Sequence, residues 1–291
     1  MTLFTPYFQL GLIGYPVNHS LSPKIQNAAL KACGLEGDYS LFPIAPDDVR
    51  GLKDLLDRVR SGEITGLNVT IPHKQNVIQF LDELTATANS IGAVNTIYLS
   101  NNRLVGDNTD APSFLADLRK FLGNEKSSIF NRKSSIVFGA GGSARAVVYA
   151  LLNDGWNVTI AARRIEQAQQ LADSFPNHKL PITNYENLTD FRLSTLDLLV
   201  NTTPIGMTPN TDHSPLPENT PLSKHTMIYD LVYNPRETKL VKDARAQGLS
   251  ATTGLGMLIE QAALSFEIWT GHDPSRASMH AFIEQSPVSS L

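Results

Sequence analysis

The sequence predicts an α/β protein of two domains, and three observations lead to that prediction. Short apolar runs alternate with longer amphipathic segments, which is typical of strands and helices around a mainly parallel sheet. The chain has 291 residues, a length that favours about two domains of roughly 150 residues each. An apolar run from residue 134 that ends in glycines and leads into a helix starts the strand–helix pattern a second time.

The predicted elements of the first domain alternate between strand and helix. Ser22 is expected to cap the first helix, because serine is a preferred N-cap residue and Pro23 suits the first helical position. A polar turn at residues 100–102 is expected to join the last two strands. Strands are predicted at Gln9–Ile13, Asp38–Ile44, Leu67–Ile71, Ala93–Leu99 and Arg103–Val105, and helices at Ser22–Cys33, Asp47–Arg60 and His73–Leu81.

The second domain is predicted to have its own sheet. Residues 1–110 are assigned to the first domain and residues 111–254 to the second, which is expected to be doubly wound. Helices from about 255 to 291 are expected to return to the first domain, because the second is complete without them. Helices are predicted at Ala111–Phe121, Ser143–Gly155, Lys239–Gly248 and from Gly256 onward, and strands at Ser134–Phe138, Val158–Ala161, Leu196–Val200 and Met227–Leu231.

Composition excludes several classes of function. The net charge is −4 and no basic block stands out, so nucleic acid is not an expected partner. Cys33 is the only cysteine, which rules out an intramolecular disulfide and a thiolate metal cluster. The histidines lack zinc-binding spacing, so no metal is expected. Without a recognisable leader or a membrane-length apolar run, the chain is expected to be cytoplasmic and free of any membrane.

A glycine-rich turn lies between a predicted strand and a predicted helix. It reads Gly139-Ala140-Gly141-Gly142-Ser143-Ala144 and fits G-x-G-x-x-G/A. The first glycine permits a tight turn, the second lets backbone approach a pyrophosphate, and the small third residue lets helix and strand pack closely. A glycine turn in an unrelated α/β protein is the alternative, and the order of strand, glycines, helix and second strand favours the nucleotide. The sequence therefore predicts a Rossmann-type dinucleotide site, with the pyrophosphate at the helix N-terminus.

The end of the next predicted strand indicates which dinucleotide binds. An NAD-binding protein usually has Asp or Glu about 20 residues after the glycines, where it accepts a hydrogen bond from the ribose 2′-hydroxyl. This chain has Arg163 and Arg164 there, with no acid before Glu166. A guanidinium cannot accept a hydrogen bond but can grip a phosphate. A solvated basic helix start is the alternative, and the position favours NADP(H).

Polar residues in the first domain indicate a ligand site. Ser20 and Ser22 lie two apart before a helix N-terminus, which favours an anion; a capping role would explain Ser22 but not Ser20. Asn68 and Thr70 are expected on one face of a strand end, where ligands of α/β sheets bind. Lys74 follows directly, and taken alone it would be a surface lysine.

Three further positions extend this candidate site. Asn95 lies in Gly92-Ala93-Val94-Asn95-Thr96, and Asp110 ends Gly106-Asp107-Asn108-Thr109-Asp110. A β-turn or a helix N-cap is the alternative for the second segment, since Asp110 is well placed to cap the next helix. Gln261 follows a glycine-rich helix start at residues 254–256 and is expected to reach the same region.

Together these segments resemble one protein family. The motifs NHSLSP, NVTIPHK, GAVNT, GDNTD, GAGGSAR, NTTPIGM, YDLVYNP and GLGMLIEQA look like those of the shikimate dehydrogenase family. They occur in the family's order from about residue 14 to residue 270. The resemblance implies NADP-dependent, reversible reduction of 3-dehydroshikimate to shikimate, a step of aromatic amino acid (chorismate) biosynthesis, by a monomer or homodimer.

The resemblance also implies residue roles. Lys74 and Asp110 would form the catalytic pair, and Ser20 and Ser22 would bind the substrate carboxylate with help from Tyr233. One departure is Ala162, where many members have an asparagine that contacts the nucleotide. The substrate-binding set would be Ser20, Ser22, Asn68, Thr70, Lys74, Asn95, Asp110, Tyr233 and Gln261. The cofactor-binding set would be Gly139, Ala140, Gly141, Gly142, Ser143, Ala144, Arg163, Arg164, Thr202, Thr203, Met207, Leu231 and Gly254.

Two alternatives remain at this point. One is a quinate/shikimate dehydrogenase of broader specificity that accepts NAD, for which Ser22 and Thr70 would matter because quinate carries an extra ring hydroxyl. The arginine pair argues against it. The other is a non-catalytic relative that binds a nucleotide or small metabolite, which the presence of Lys74 and Asp110 disfavours. A hydrolase is weaker still, because no G-x-S-x-G motif is present.

Overall fold

The computed structural model describes residues 6–285 except 124–132, 185–187, 189–192 and 218–219. The chain divides into two compact units. One comprises the residues up to 109 together with those from 259 onward, and the other comprises residues 110–258. Each has its own sheet and helices, so the predicted fold class is confirmed, including the return of the C-terminal helices to the N-terminal unit.

In the N-terminal unit, the described residues form a mixed sheet in the order β2-β1-β3-β5-β6-β4. β1 pairs in parallel with β2 and β3, while β5 runs antiparallel to β3 and β6. Asn101 and Asn102 have φ angles of 48° and 61° in the turn between β5 and β6, which suits a tight hairpin. The strands are β1 (Tyr7–Gly14), β2 (Glu36–Pro43), β3 (Gly66–Val69), β4 (Glu83–Leu84), β5 (Thr96–Ser100) and β6 (Arg103–Asp107).

The helices beside this sheet are α1 (Ser22–Ala32), α2 (Val49–Arg60), α3 (His73–Asn76) and α4 (Ala86–Ile91). The apolar face of α2 packs on the sheet in one core cluster, where Leu55 and Val59 meet Leu67 and Ile97. Burial of such side chains supplies the main driving force for folding. The predicted helix at residues 73–81 is in fact two short pieces, because a 3₁₀ turn at Val77–Phe80 follows α3.

The expected cap of α1 is wrong. Ser22 is the first residue of the helix, and Leu21 occupies the N-cap position in a helical backbone conformation. The hydroxyl of Ser20 accepts a hydrogen bond from the Ser22 backbone N–H at 3.2 Å. The Ser20 side chain therefore closes the turn that leads into the helix.

The unit of residues 110–258 contains the doubly wound sheet. Its described strands are all parallel, in the order β12-β11-β10-β7-β8-β9, which is the 3-2-1-4-5-6 order of dinucleotide-binding folds. The elements are α5 (Asp110–Leu122), β7 (Ser134–Phe138), α6 (Gly142–Asn153), β8 (Asn157–Ala161), α7 (Ile165–Asp173), β9 (Ile182–Thr183), β10 (Leu198–Asn201), β11 (Met227–Asp230), α8 (Lys239–Ala246) and β12 (Ala251–Thr253).

The last two helices are α9 (Leu255–Thr270) and α10 (Arg276–Gln285). From residue 259 they belong to the N-terminal unit, where Gln26 of α1 donates a hydrogen bond to the Ala262 carbonyl at 3.0 Å. Trp269 donates from Nε1 to the Ile97 carbonyl on β5 at 3.1 Å. Among the helices of the described residues, none is long and apolar enough to cross a membrane.

Candidate active site

Buried polar side chains gather where β3 and β5 meet α9. Asn68 on β3 is only 4% exposed. Its Nδ2 donates to Ser265 Oγ at 3.0 Å and to the Asn95 carbonyl at 3.1 Å. Its Oδ1 accepts from the Tyr39 hydroxyl at 2.8 Å. Asn68 is thus held in one orientation by groups from three other parts of the chain, and Oδ1 keeps a second lone pair.

The same network fixes Asn95. Its Oδ1 accepts from the Thr109 backbone N–H at 2.8 Å, and its Nδ2 donates to Thr109 Oγ1 at 2.9 Å. Thr96 Oγ1 and Ser265 Oγ are 2.8 Å apart, and Thr109 Oγ1 lies 3.3 Å from the Gln261 carbonyl. We call this set, Tyr39, Asn68, Asn95, Thr96, Thr109 and Ser265, the strand-end network. It joins the predicted site residues Asn68 and Asn95, and it contacts the backbone of Gln261.

Lys74 lies in the short helix α3, directly after β3. It is only 9% exposed, which is unusual for lysine. Its backbone carbonyl accepts from the Val94 N–H at 2.8 Å, which ties the helix to the segment before β5. The neighbouring His73 is 2% exposed, and its Nε2 lies 2.7 Å from the Ile44 carbonyl. Contacts on both sides of Lys74 therefore hold the backbone that carries its ammonium group.

The remaining substrate candidates are placed as follows. Thr70 lies one residue beyond β3, half-buried, and its methyl group occupies the space that a Cβ at residue 14 would need. Ser22 is 6% exposed and Ser20 is half-buried. Asp110 is 4% exposed and begins α5 directly after Thr109, so it is a first-turn residue rather than the cap that the sequence suggested.

Two of these candidates lie on later elements. Tyr233 is half-buried in the loop after β11, in the unit of residues 110–258. Gln261 is half-buried on α9 in the N-terminal unit, one helical turn before Ser265. The strand-end network therefore reaches the helix that carries Gln261.

The order of the strands in the doubly wound sheet reverses between β7 and β10. Such sheets bind ligands beside this point, at the carboxyl ends of the strands. Gly139 follows β7 with a φ of +113°, a conformation that L side chains rarely adopt. A Cβ there would lie 2.5 Å from Thr202 Oγ1, because Thr202 follows β10 and donates to the Phe138 carbonyl at 2.6 Å. The first glycine of the turn is therefore required by its conformation and by the close approach of β10.

The second glycine fits a different purpose. Gly141 has ordinary φ and ψ angles of −85° and −171°, and a Cβ there would meet nothing within 4 Å. Gly142 begins α6, which has no side-chain cap, and the N-terminus of a helix favours an anion. Ala144 is fully buried against the sheet, as the small third position requires. Ala140, Gly142 and Ser143 are half-buried around this open space, which suits a pyrophosphate.

Arg163 and Arg164 follow the end of β8 at Ala161, and both are exposed. Among the described residues, neither has a carboxylate partner. Ala162 is buried, and its N–H donates to the Thr183 carbonyl at 3.0 Å. Two solvated guanidinium groups are therefore available where a 2′-phosphate would lie.

The other predicted cofactor residues follow β10, β11 and β12. The Thr203 hydroxyl donates to Asn201 Oδ1 at 2.7 Å. Met207 is 43% exposed, which leaves an apolar surface beside this loop. Leu231 donates from its N–H to the Asn201 carbonyl at 2.9 Å, and a Cβ at Gly254 would lie 2.3 Å from the Leu231 carbonyl. Glycine at 254 therefore lets the backbone segments after β11 and β12 approach each other.

Several members of the strand-end network could not be predicted from the sequence as site residues. Tyr39, Thr96, Thr109 and Ser265 were not singled out, because each has an ordinary place in a strand, turn or helix. Ser265 could have been noticed, because it is a polar residue in the largely apolar sequence of α9. In the structure it is fully buried. For Tyr39, only the folded structure shows that its hydroxyl meets Asn68.

Known protein families match most of the chain. Family models match residues 12–97 (Shikimate dehydrogenase substrate binding domain), 122–242 (Shikimate / quinate 5-dehydrogenase) and 254–281 (Shikimate 5'-dehydrogenase C-terminal domain). A shikimate dehydrogenase (NADP(+)) of Methanococcus maripaludis is 40% identical over 267 residues, covering 91% of this chain and 92% of that protein. The chain belongs to the shikimate dehydrogenase family.

Solved structures of this family have the same fold. A shikimate dehydrogenase in complex with NADP+ has a TM-score of 0.86 at 39% identity, covering 96% of both chains. The Thermus thermophilus enzyme in complex with NADP(H) and shikimate has a TM-score of 0.80 at 35% identity, covering 96% of this chain and 99% of that one. A quinate dehydrogenase from Corynebacterium glutamicum in complex with NAD has a TM-score of 0.84 at 32% identity, with coverage of 96% and 99%.

Proposed function

We infer that this chain catalyses the reversible NADP-dependent reduction of 3-dehydroshikimate to shikimate, in the route to chorismate and the aromatic amino acids. The observation that carries this inference is the burial of Lys74, only 9% exposed, directly after a strand whose end holds oriented amide groups. Lysine is rarely buried unless its charge is paired, and we assign it a carboxylate partner below. Curated relatives at 40% and 38% identity are shikimate dehydrogenases (NADP(+)).

The chain's own groups suit the chemistry of a ketone reduced at a ring carbon. NADPH supplies the hydride when it is bound. Lys74 then acts as the general acid: its ammonium polarises the carbonyl and gives a proton to the alkoxide oxygen that forms. We assign Asp110 as its partner in the catalytic pair. In the oxidative direction Lys74 accepts the proton back from the shikimate hydroxyl.

The substrate-binding candidates of the sequence analysis are assigned to two parts of the substrate. We assign the carboxylate to Ser20 and Ser22 with Tyr233, and the ring hydroxyls to Asn68, Thr70, Asn95, Asp110 and Gln261. The strand-end network supports this assignment, because it fixes which atom of each asparagine amide is the donor and which is the acceptor. A preset donor and acceptor pattern discriminates between ring hydroxyls at low entropic cost.

The nucleotide would be held by Gly139–Ala144 and the loops after β10 and β11, and the residues after β8 select NADP. Arg163 and Arg164 offer two solvated cations and no acceptor, which favours a 2′-phosphate over a 2′-hydroxyl. We further propose that the protein works in the cytoplasm as a monomer or homodimer, without a membrane or nucleic acid. Light scattering of the purified protein tests the oligomeric state.

One experiment tests the reaction. Purified protein is mixed with NADP+ or NAD+ and with shikimate or quinate, and reduced-cofactor absorbance is followed. We expect a signal with shikimate and NADP+. Absence of that signal would overturn the proposal and would favour a non-catalytic nucleotide-binding relative.

The second candidate is a quinate/shikimate dehydrogenase of broader specificity. It is favoured by the likeness to the quinate dehydrogenase that was solved with NAD. It predicts a comparable signal with quinate and NAD+ in the same assay. The exposed arginine pair after β8 is the observation against it.

A further inference from the structure

Asp230, the last residue of β11, is a fully buried carboxylate that the reaction does not use. Among the described residues it has no cationic partner, and burial raises the pKa of its carboxyl group to about 6. Three donors hold it instead: Asn201 Nδ2 at 2.8 Å, the Val232 N–H at 3.0 Å and the Thr238 hydroxyl at 2.7 Å. A buried carboxylate without a counter-charge is costly for a fold, so its presence calls for another explanation.

One oxygen of Asp230 determines the orientation of Asn201 at the end of β10. Because a carboxylate oxygen only accepts here, the Asn201 amide must turn its Nδ2 toward Asp230 and its Oδ1 the other way. That Oδ1 accepts from the Thr203 backbone N–H at 3.0 Å and from the Thr203 hydroxyl at 2.7 Å. Thr203 Oγ1 in turn accepts from the Ile205 N–H at 3.2 Å. The loop after β10 is thus ordered from Asp230 outward.

The same oxygen, Oδ1, orders the loop after β11. It accepts from the Val232 N–H, and the intervening Leu231 donates its own N–H to the Asn201 carbonyl. Thr202, Thr203 and Leu231 are residues to which the nucleotide is assigned above. The loops after β10 and β11 therefore both depend on one buried oxygen atom.

We propose that Asp230 is a positioning residue for the nucleotide, acting through Asn201 on Thr203 and through Val232 on Leu231. The proposal rests on the proposed NADP site. The other carboxylate oxygen, Oδ2, serves a different purpose, since it accepts from Thr238, which caps α8 through Val241. Oδ1 therefore serves nucleotide positioning and Oδ2 serves helix capping. A substitution of Thr238 affects only the second role and is the matched control.

The test measures NADPH binding directly, by fluorescence titration, beside KM for NADP+ and shikimate and kcat. Asp230→Ala removes the acceptor for Asn201 and is expected to weaken NADPH binding about tenfold, or about 1.4 kcal/mol, with KM for shikimate unchanged. Asp230→Asn keeps an acceptor for Asn201 and is expected to restore most of the affinity. Thr238→Ala is the control; it lowers thermal stability but leaves the Kd for NADPH near wild type.

If Asp230→Ala does not fold, Asn201→Ala breaks the same link from the other side and should raise the Kd for NADPH by a similar factor. NADPH affinity unchanged in both variants, or reduced equally by Thr238→Ala, would overturn the proposal. Affinity lost equally in Asp230→Asn and Asp230→Ala would also overturn it, because the charge would then matter rather than the acceptor. A wild-type protein that binds NADPH but does not oxidise shikimate would contradict the proposed reaction alone.

Discussion

Ser265 Oγ on α9 lies 3.0 Å from Asn68 Nδ2 at the end of β3, a contact between residues 197 positions apart in the sequence. The same hydroxyl lies 2.8 Å from Thr96 Oγ1 and 3.2 Å from Thr109 Oγ1. One serine side chain therefore joins a strand end, the next strand and the segment that leads to Asp110. Removing it leaves several buried polar groups short of a partner.

Ser265→Ala is predicted to lower the free energy of unfolding by about 1–3 kcal/mol, because buried donors lose an acceptor. It is also predicted to raise KM for shikimate while KM for NADP+ stays unchanged, since the Asn68 amide loses one of the contacts that fix its orientation. Urea denaturation and steady-state kinetics check both effects. Glu267→Ala, on an exposed position of the same helix, is the control. Wild-type stability and wild-type KM in Ser265→Ala would contradict the positioning argument.

Lys74→Ala is predicted to lower kcat by about 10²–10⁴, the usual contribution of a positioned general acid, with a much smaller change in substrate binding. The cause is the loss of the only proton donor that we assign to the carbonyl oxygen. Steady-state kinetics with NADP+ and shikimate, together with shikimate binding by calorimetry, separate the two effects. Lys31→Ala, an exposed lysine on α1, should behave like wild type. A Lys74→Ala variant with near-full turnover would remove Lys74 from this role.

The double substitution Arg163→Ala, Arg164→Ala is predicted to raise KM for NADP+ far more than KM for NAD+. Only NADP+ carries the 2′-phosphate that the two guanidinium groups would bind, and both groups are exposed and ready for it. The NADP+ effect should shrink as salt rises, because exposed charges are screened. Equal increases in both Michaelis constants would contradict the assignment.

The two glycines of the β7–α6 turn are predicted to respond differently to alanine. Gly139→Ala should lower the melting temperature, because φ is +113° and a Cβ would clash with Thr202 Oγ1. Gly141→Ala should leave the melting temperature unchanged but weaken NADPH binding, since its Cβ would occupy space that is open only without the pyrophosphate. Thermal unfolding and NADPH titration test the pair. Unchanged NADPH affinity in Gly141→Ala would place the pyrophosphate elsewhere.

Asp230 predicts a pH dependence of stability. Burial raises its pKa from 3.8 to about 6 in the folded state, so the folded chain holds this proton more tightly than the unfolded chain. The contribution of Asp230 to the free energy of unfolding is therefore most favourable below about pH 4. As pH rises to about 6, it falls by on the order of 2–3 kcal/mol. Asp230→Asn removes this loss, so its stability relative to wild type should increase over that range. Parallel pH profiles of the melting temperatures would contradict the assignment.

The nucleotide side could be predicted well from sequence because its signals are local. The strand, the glycine turn and the helix follow one another at residues 134–153, and the arginines lie at the next strand end. The positive φ of Gly139 is a property of the turn itself, whereas the approach of Thr202 from β10 is visible only in the fold. The short elements β9 and β12 and the helix α7 were not predicted, because two or three residues, or a mostly polar helix, carry little pattern.

The substrate side could be predicted only in part. Asn68 and Asn95 could be identified as unusual polar residues, but the groups that orient them come from distant segments, and no local pattern encodes such a meeting. The capping role given to Ser22 was wrong for a related reason. A serine directly before a proline suits an N-cap, whereas the turn places Leu21 there and uses the Ser20 hydroxyl instead. Which of two neighbouring hydroxyl groups closes a turn depends on backbone angles.

The unit that contains Lys74 is discontinuous in the chain, and this has a consequence for its biosynthesis. Ser265 and Trp269 leave the ribosome only after the whole of residues 110–258, which takes roughly 7–30 s at usual elongation rates. During that interval the Asn68 amide and the Thr96 hydroxyl lack their Ser265 partner, so water takes its place, and the strand ends lack the helix that will cover them. The nucleotide-binding unit, one uninterrupted segment, can therefore finish folding while the unit begun before it still waits for its last helix.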